Sequence, residues 1–169
     1  MTGTLKVLGI AGWKNSGKTT LTERLIAELT GRGLRVAAVK HAHHSFNVDY
    51  PGTDSARHRA AGAREVAIVS NIRFAHIREL QGAPEPTLAE VLAHFGPCDL
   101  VLVEGYKRVS IPKIEVRRVE GRSREPLAPG DTDVIAIAAD HAVEDTNLPV
   151  FKLDEIARIS DFVVGWMGR

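Results

Sequence analysis

The chain has 169 residues, of which 44% are hydrophobic and 25% are charged, and this is an ordinary globular composition. Its 22 basic and 21 acidic side chains nearly cancel, so the charge indicates neither a nucleic-acid nor a membrane partner. The single cysteine, Cys98, excludes an internal disulfide and is typical of a reducing compartment. No signal peptide fits before the first strand, and no apolar run approaches about 18 residues. We therefore expect a soluble, cytoplasmic protein that forms one domain over residues 1–169.

The first predicted elements surround a glycine-rich loop. Residues 5–11 form an apolar run that predicts a buried strand, and residues 20–29 carry leucines at helical spacing. Between them, residues 12–19 read GWKNSGKT, which matches the P-loop pattern G-x-x-x-x-G-K-[ST] at every fixed position. A strand, a glycine loop and a helix in this order predict a site for a nucleoside triphosphate.

The residue types of this loop explain the expected chemistry. Gly12 and Gly17 allow backbone N–H groups to converge on an anion at the helix N-terminus. Lys18 is predicted to contact the β- and γ-phosphates and to act in catalysis, and Thr19 is predicted to ligate Mg²⁺. A second interpretation of Thr20, as a helix-opening residue without a ligand, stays open. The residues predicted to bind the phosphates are Gly12, Asn15, Ser16, Gly17, Lys18, Thr19 and Thr20.

Strands and helices alternate through the rest of the chain, which indicates an α/β P-loop NTPase fold with three layers and a mostly parallel sheet. The alternating segments 73–78 and 113–119 predict half-exposed antiparallel strands at an edge, which can pair with a second subunit to give a homodimer. Residues 71–72 predict a tight hairpin turn, and residues 120–132 the most flexible loop. The further predicted strands are 35–40, 65–70, 99–104, 134–138 and 149–152, and the further helices are 53–61, 87–95 and 154–167.

Two acidic residues occupy opposite ends of the strand at 99–104. Ligands of parallel sheets bind at the carboxyl ends of the strands, where Glu104 lies, and Asp99 is roughly 17 Å away at the other end. Glu104 is therefore predicted to be a catalytic carboxylate that positions Mg²⁺ or water. The alternative is an ion pair with Lys107 or Lys113. Asp99 is assigned a structural role.

The loop after the second strand holds further candidates. Asp49 is predicted to act in catalysis, by holding a water on Mg²⁺ or by orienting the nucleophile. Arg57 and Arg59 can either bind a second anionic group or lie on a solvated helix face. This loop also carries three histidines that can bind a metal, although a solvated or substrate-facing loop is favoured because no second ligand cluster accompanies them. The three histidines are His41, His43 and His44.

The last strand leads into a candidate base-recognition loop. Residues 151–154 read FKLD, which keeps the Lys and Asp of the guanine-reading pattern N-K-x-D but has Phe in place of Asn. Lys152 and Asp154 are therefore predicted to bind the base. Two alternatives stay open: Asp154 can instead cap the last helix, and the base can be read after the strand at 134–138.

Together these motifs resemble the MobB family, molybdopterin-guanine dinucleotide biosynthesis protein B. The resemblance implies a dimeric P-loop protein that binds GTP with Mg²⁺ and hydrolyses it slowly. It also implies two kinds of partner: the guanylyltransferase MobA, which attaches GMP to molybdopterin, and molybdopterin or its guanine dinucleotide. Glu104 matches the family's Glu-Gly-Phe/Tyr-Lys segment. The segments that carry the resemblance are 12–21, 39–46, 51–59, 103–107 and 112–116.

Two other classes of function share a P-loop. A small-molecule kinase would transfer the γ-phosphoryl group of ATP or GTP to a substrate seated on residues 41–59. A structural adaptor would bind nucleotide without turnover. The products distinguish the three classes: a phosphorylated acceptor, free phosphate, or neither.

Overall fold

A computed structural model of the chain describes residues 5–42, 45–120, 125–144 and 146–169. The fold divides into two compact units. The first, here called the sheet unit, contains the residues up to His41 together with Phe95–Arg169, and the second, the hairpin unit, contains Ala42–His94. The single nucleotide-binding domain expected over residues 1–169 stays a prediction.

The elements follow the predicted order, with ends that differ from the sequence-based bounds by a few residues. The strands are β1 (Lys6–Ala11), β2 (Val36–Lys40), β3 (Glu65–Val69), β4 (Phe74–Arg78), β5 (Leu100–Glu104), β6 (Lys113–Arg117), β7 (Val134–Ala139) and β8 (Val150–Lys152). The helices are α1 (Lys18–Gly31), α2 (Asp54–Ala60), α3 (Leu88–Leu92) and α4 (Ile156–Met167), and Ala128–Gly130 forms a 3₁₀ turn.

The sheet unit is built on six strands in the order β2-β5-β1-β6-β7-β8. All neighbouring strands in it are parallel, so their carboxyl ends lie along one edge of the sheet. β1 is central, and its Ile10 stands level with Glu104 on β5 and with Ile114 on β6. The predicted α/β class with a mostly parallel sheet is confirmed, and the loop after β1 lies at the edge where ligands of such sheets bind.

Two helices cover one face of this sheet. Leu21, Leu25 and Leu29 of α1 are spaced at one helical turn and are buried against strand residues such as Leu8 and Ile10. Complete burial of each leucine is worth about 1.5–3 kcal/mol, so this stripe holds the helix against the strand that precedes it. The buried residues of α4 that join the same core are Ile159, Val163 and Met167.

The start of α4 corrects one interpretation of Asp154. The N-cap residue is Glu155, whose carboxylate accepts a hydrogen bond from the Lys152 backbone N–H at 2.9 Å and contacts Arg158 at 2.6 Å. The helix therefore begins two residues after Asp154, at Ile156, and the interpretation of Asp154 as its cap is wrong.

The segment 113–119 is the clearest departure from the sequence-based prediction. Its residues Lys113–Arg117 form β6, which pairs in parallel with β1 and β7, so the prediction of an antiparallel strand at an edge is wrong here. The charged residues that suggested a half-exposed strand are buried in pairs: Lys113 contacts Asp131 at 2.8 Å, and Glu115 contacts Arg117 at 3.0 Å. Buried charges require such partners, so the alternating charges at Lys113 and Glu115 mark ion pairs in the interior and not a solvent-facing side of the strand.

The loop expected to be the most flexible is partly ordered by the same carboxylate. Glu115 accepts hydrogen bonds from the backbone N–H groups of Leu127 and Ala128 at 2.8 and 3.0 Å, and the 3₁₀ turn starts there. Residues 121–124 of this predicted loop lie outside the described residues.

The hairpin unit contains the predicted antiparallel strands. β3 and β4 pair from Glu65 opposite Arg78 to Val69 opposite Phe74, and the Ser70 N–H donates to the Arg73 carbonyl oxygen at 2.9 Å to close the tight turn. Thr53 caps α2, and Thr87 with Glu90 forms a capping box on α3. Among the helices of the described ranges, none is long and apolar enough to cross a bilayer.

Candidate functional site

The P-loop turn depends on two glycines with positive φ. Gly12 has φ +151°, and a Cβ atom there would lie 2.5 Å from the Val116 carbonyl oxygen on β6. Gly17 has φ +91°, and its missing Cβ leaves space that the Arg118 guanidinium approaches to 3.0 Å. Any side chain at Gly12 would collide with backbone, so the close approach of the loop to β6 requires glycine there.

A cavity of about 240 Å³ lies at the start of α1. Most of the predicted phosphate ligands line it. The exceptions are Gly12, which lies against β6, and Ser16, which is buried and lines a second cavity of about 420 Å³. Thr20 does line the first cavity, so its place favours the ligand interpretation over that of a helix-opening residue alone. The lining residues are Asn15, Gly17, Lys18, Thr19, Thr20 and Arg118.

Lys18 lies at the entrance to α1 and its ammonium group folds back over the loop. The Lys18 Nζ donates a hydrogen bond to the Trp13 carbonyl oxygen at 2.7 Å. Burial lowers the pKa of Lys18, and the nearby negative charge of Glu104 opposes that decrease. A cation that has lost part of its hydration interacts strongly with an arriving phosphate, which is the role the sequence predicts for it.

Thr19 and Glu104 come together as the sequence-based hypothesis requires. The Thr19 hydroxyl donates to the Glu104 carboxylate at 2.7 Å, and the Lys40 ammonium lies 3.6 Å from the same oxygen. The alternative pairing of Glu104 with Lys113 is wrong because Lys113 is buried against Asp131. Lys107, the other proposed partner, instead lies 3.9 Å above the Trp13 ring.

The same pair fits a magnesium ion in its donor chemistry. Mg²⁺ prefers oxygen ligands, usually one or two from the protein together with phosphate and water oxygens. Thr19 supplies a hydroxyl oxygen and Glu104 a carboxylate oxygen at the carboxyl end of β5. Thr19 and Glu104 would hold the ion beside Lys18, and the ion would there supply positive charge to the phosphates of a nucleotide.

A larger cavity of about 780 Å³ lies at the carboxyl ends of β7 and β8. Lys152 and Asp154, the predicted base ligands, both line it. So do Asp140 and His141, which follow β7, the other position considered for base recognition. The two sequence-based alternatives therefore converge on one cavity. We call it the base cavity and the smaller one at the P-loop the phosphate cavity.

Asp49 and Arg59 form an ion pair inside the hairpin unit. Two nitrogens of the Arg59 guanidinium contact the two oxygens of Asp49, and Arg59 also contacts Glu79 at 2.6 Å. The hydrogen bond from Arg59 lowers the pKa of Asp49. Arg59 therefore neither lies on a solvated face nor offers an uncompensated charge to an anion, whereas Arg57 is exposed beside Asp54 at 3.8 Å. The catalytic role of Asp49 stays a prediction.

Asp99 has the structural role that the sequence indicated. It lies before β5 and accepts hydrogen bonds from Arg35 and from Arg169, the latter at 2.8 Å. The contact with Arg35 holds the pKa of Asp99 well below its usual range. For the histidines, no group of three or more His, Cys, Asp or Glu side chains that could hold a metal occurs in the part of the chain that the structure describes. His43 and His44 lie outside that part.

The family model of molybdopterin guanine dinucleotide synthesis protein B, MobB, matches residues 7–140. The chain belongs to the MobB family. Two relatives named molybdopterin-guanine dinucleotide biosynthesis adapter protein, from Haemophilus influenzae and Escherichia coli, are each 38% identical to it. The alignment with the first relative spans 99% of this chain and 92% of that relative. The alignment with the second spans 98% of this chain and 95% of that relative. A role in molybdopterin-guanine dinucleotide biosynthesis is thereby supported.

Solved structures of the MobB family have the same fold. The chain is similar to the MobB homologue of Bacillus stearothermophilus, with a TM-score of 0.71, 29% identity, and coverage of 95% of this chain and 97% of that one. It is also similar to the MobB of Bacillus subtilis, with a TM-score of 0.74, 26% identity, and coverage of 95% and 96%.

Three residues beside the site make contacts that were not predicted from the sequence. The Trp13 indole N–H donates to the Glu125 carbonyl oxygen at 2.6 Å, and the Lys107 ammonium lies over its ring, so Trp13 joins the P-loop to two other loops. Burial lowers the pKa of Lys107. Arg118 lines both the phosphate and the base cavity. The signals that were available were an aromatic residue at a free P-loop position and two cations at the ends of strands.

Proposed function

We propose that this chain is a GTP-binding adapter protein and slow GTPase that assists the attachment of GMP to molybdopterin. The observation that carries the proposal is the hydrogen bond of 2.7 Å between Thr19 and Glu104, next to Lys18 in a complete P-loop. It brings the hydroxyl of one strand–helix junction to the carboxylate at the end of a neighbouring strand. That is the donor set needed where a nucleotide and a magnesium ion meet.

The mechanism follows from these three side chains. Lys18 would leave the Trp13 carbonyl oxygen and contact the β- and γ-phosphates, since phosphate oxygens carry more charge than a peptide carbonyl. Mg²⁺, when bound, neutralises charge on the phosphates. Thr19 and Glu104 would hold the metal or its water, and Glu104 would also orient the attacking water toward the γ-phosphate. Lys40, whose ammonium lies 3.6 Å from the Glu104 oxygen, would help to hold that side chain in place by charge attraction.

The preference for guanine is proposed to come from the base cavity. The Asp154 carboxylate can accept hydrogen bonds from the guanine ring, where adenine offers no matching pair of donors. The aliphatic part of Lys152 can cover the face of the base. Both residues line the cavity at the end of β8, next to the end of β7, which Asp140 directly follows.

The assembly is proposed to be a homodimer that serves the guanylyltransferase MobA and handles molybdopterin or its guanine dinucleotide. Of the two segments predicted to pair with a second subunit, only 73–78 remains available, because the strand in 113–119, Lys113–Arg117, lies between two others. At the tip of the β3–β4 hairpin the apolar side chains of Val69, Ile72 and Phe74 are 72%, 87% and 67% exposed. Exposed apolar clusters mark interaction surfaces, and a second copy of the hairpin would cover this one.

The test is calorimetry of GTP against ATP with Mg²⁺ present, together with measurement of phosphate release. We expect GTP to bind more tightly than ATP and phosphate to appear slowly without an added acceptor. Preference for ATP, or turnover only with a small-molecule acceptor, would contradict the proposal and favour a kinase. Binding of GTP with no phosphate release would contradict the GTPase part of the proposal and favour an adapter that binds nucleotide without turnover.

A further inference from the structure

Arg118 lies against the P-loop although it comes from another part of the chain. It directly follows β6, and its Nε, Cζ and Nη2 atoms lie 3.0, 3.2 and 3.5 Å from the position that a Cβ on Gly17 would occupy. The side chain thus packs against the turn that immediately precedes Lys18. Gly17 is what permits this approach, since any larger residue there would meet the guanidinium.

The guanidinium of Arg118 has no counter-charge in the described ranges. Within them, no hydrogen bond or ion pair joins Arg118 to another residue, although the side chain is half-buried. Its neighbour Arg117 contacts the buried Glu115 at 3.0 Å, and Arg35 contacts Asp99 at 3.1 Å. A cation that is partly removed from water and not paired by the protein favours an anionic ligand.

Arg118 lines the phosphate cavity, the base cavity and the cavity of about 420 Å³ beside Ser16, and its place in the first two identifies which part of a nucleotide it would meet. Of the described residues that line the phosphate cavity, Arg118 alone also lines the base cavity. Lys18 and Thr19 lie at the part of the phosphate cavity that faces Glu104, whereas Lys152 and Asp154 lie in the base cavity. In a nucleotide, the α-phosphate and the ribose join the terminal phosphates to the base.

We propose that Arg118 binds the α-phosphate of the guanine nucleotide. This inference rests on the proposed function, because it takes the nucleotide to span the two cavities. The guanidinium presents two parallel N–H groups that match two phosphate oxygens, so it fixes the position of the nucleotide between base and terminal phosphates. A contact at the α-phosphate is present in GTP and GDP alike, and it therefore strengthens both complexes without accelerating hydrolysis.

The experiment compares GTP and GDP binding by calorimetry in the unchanged protein and in Arg118→Gln, with Mg²⁺ present. We expect the affinity for both nucleotides to fall by the same factor, about 10- to 100-fold, the usual range for loss of a charge-assisted hydrogen bond. The single-turnover rate of bound GTP should not change. Arg118→Lys keeps the charge but loses the paired N–H groups. Its nucleotide affinities should lie between those of the unchanged protein and those of Arg118→Gln.

A matched control removes one positive charge elsewhere. Arg73→Gln changes an exposed arginine in the turn of the β3–β4 hairpin, and we expect its nucleotide affinities to equal those of the unchanged protein. The thermal unfolding midpoint of Arg118→Gln should also be unchanged, because the side chain has no partner in the described residues to lose.

Three results would overturn the inference. A loss of GTP affinity with GDP affinity intact, or a slower single-turnover rate, would assign Arg118 to the γ-phosphate instead. Unchanged affinities for both nucleotides would show that it is no ligand. These outcomes are distinct from failure of the proposed function, in which the unchanged protein and Lys18→Ala would bind GTP equally poorly and both proposals would fall.

Discussion

The sheet unit and the hairpin unit differ in how far they bury their side chains. In the sheet unit, strand residues such as Leu102 and Ile114 are completely buried, and even Lys113 and Glu115 are 1% exposed and paired. The hairpin unit leaves apolar residues at its tip in solvent, with Ile72 at 87% exposure. The first unit therefore completes its own core, and the second does not.

The difference has a physical origin in strand pairing. A parallel sheet is stable only when both of its faces are covered, so its strands are buried and its polar groups find partners within the unit. A two-stranded antiparallel ribbon is marginal by itself in water and gains stability when another surface covers it. We infer that the chemistry is located in the sheet unit and the assembly surface in the hairpin unit, and the following changes test that division.

The largest effect is expected for Lys18→Ala. Without the ammonium group, the P-loop loses the cation for the β- and γ-phosphates, and GTP affinity should fall by at least about 100-fold. Calorimetry measures the affinity, and sedimentation should find the oligomeric state unchanged, because the altered residue belongs to the sheet unit. Retained GTP affinity would refute the P-loop assignment.

Next in size is the effect of Ile72→Asp combined with Phe74→Asp on assembly. Charges at the apolar tip cannot be buried without partners, so the dissociation constant of the proposed dimer should rise by at least about tenfold. Light scattering across a dilution series gives the dimer fraction, with Asn71→Asp in the same turn as the charge control. A dimer that survives the double change, or a monomeric parent protein, places the assembly surface elsewhere.

Glu104→Gln separates hydrolysis from binding. The amide keeps the size of the side chain but loses the charge that orients water and metal, so we expect phosphate release to slow by about 10- to 100-fold. GTP affinity should change less. Asp99→Asn, a change of the same kind at the other end of β5, is the control and should release phosphate at the rate of the parent. Equal rates for both variants would remove Glu104 from the mechanism.

Asp154→Asn tests base recognition within the sheet unit. The amide can no longer accept hydrogen bonds from both guanine donors, so the preference for GTP over ATP should fall by about tenfold. The contacts with the phosphates should not change. Competition binding with the two nucleotides measures the ratio. If the ratio stays as it was, the base is read by the residues after β7 that line the same cavity, among them Asp140.

The smallest effect concerns the pH dependence of unfolding. Hydrogen bonds from Arg35 lower the pKa of Asp99 in the native state, so the ionised carboxylate stabilises the fold above the unfolded-state pKa of about 4. That contribution is lost as the pH falls through the native pKa. Thermal unfolding should therefore find Asp99→Asn less stable than the parent at neutral pH, with the gap closing below about pH 4. A gap independent of pH would contradict the assignment.

Much of the candidate site followed from the order of residues. The P-loop was predictable because its function depends on glycine, lysine and threonine at fixed spacing within a single turn. The assignment of Glu104 and Asp99 to opposite ends of β5 followed from strand length alone, and the contacts of Thr19 with Glu104 and of Arg35 with Asp99 are in agreement. The hairpin at 71–72 also depends on neighbouring residues only.

The sequence by itself determined the local elements and the turn of the P-loop motif, since both depend on residues within a few positions of one another. Only the tertiary structure decided that Lys113–Arg117 is a central strand, because burial of Lys113 and Glu115 depends on Asp131 and on the N–H groups of Leu127 and Ala128. The contact of Arg118 with Gly17 was also decided by the tertiary structure alone, because the two residues are 101 positions apart in the sequence. The spacing of residues along the chain predicts helices and strands. The partner of a buried charge instead depends on which distant residues the fold brings next to it.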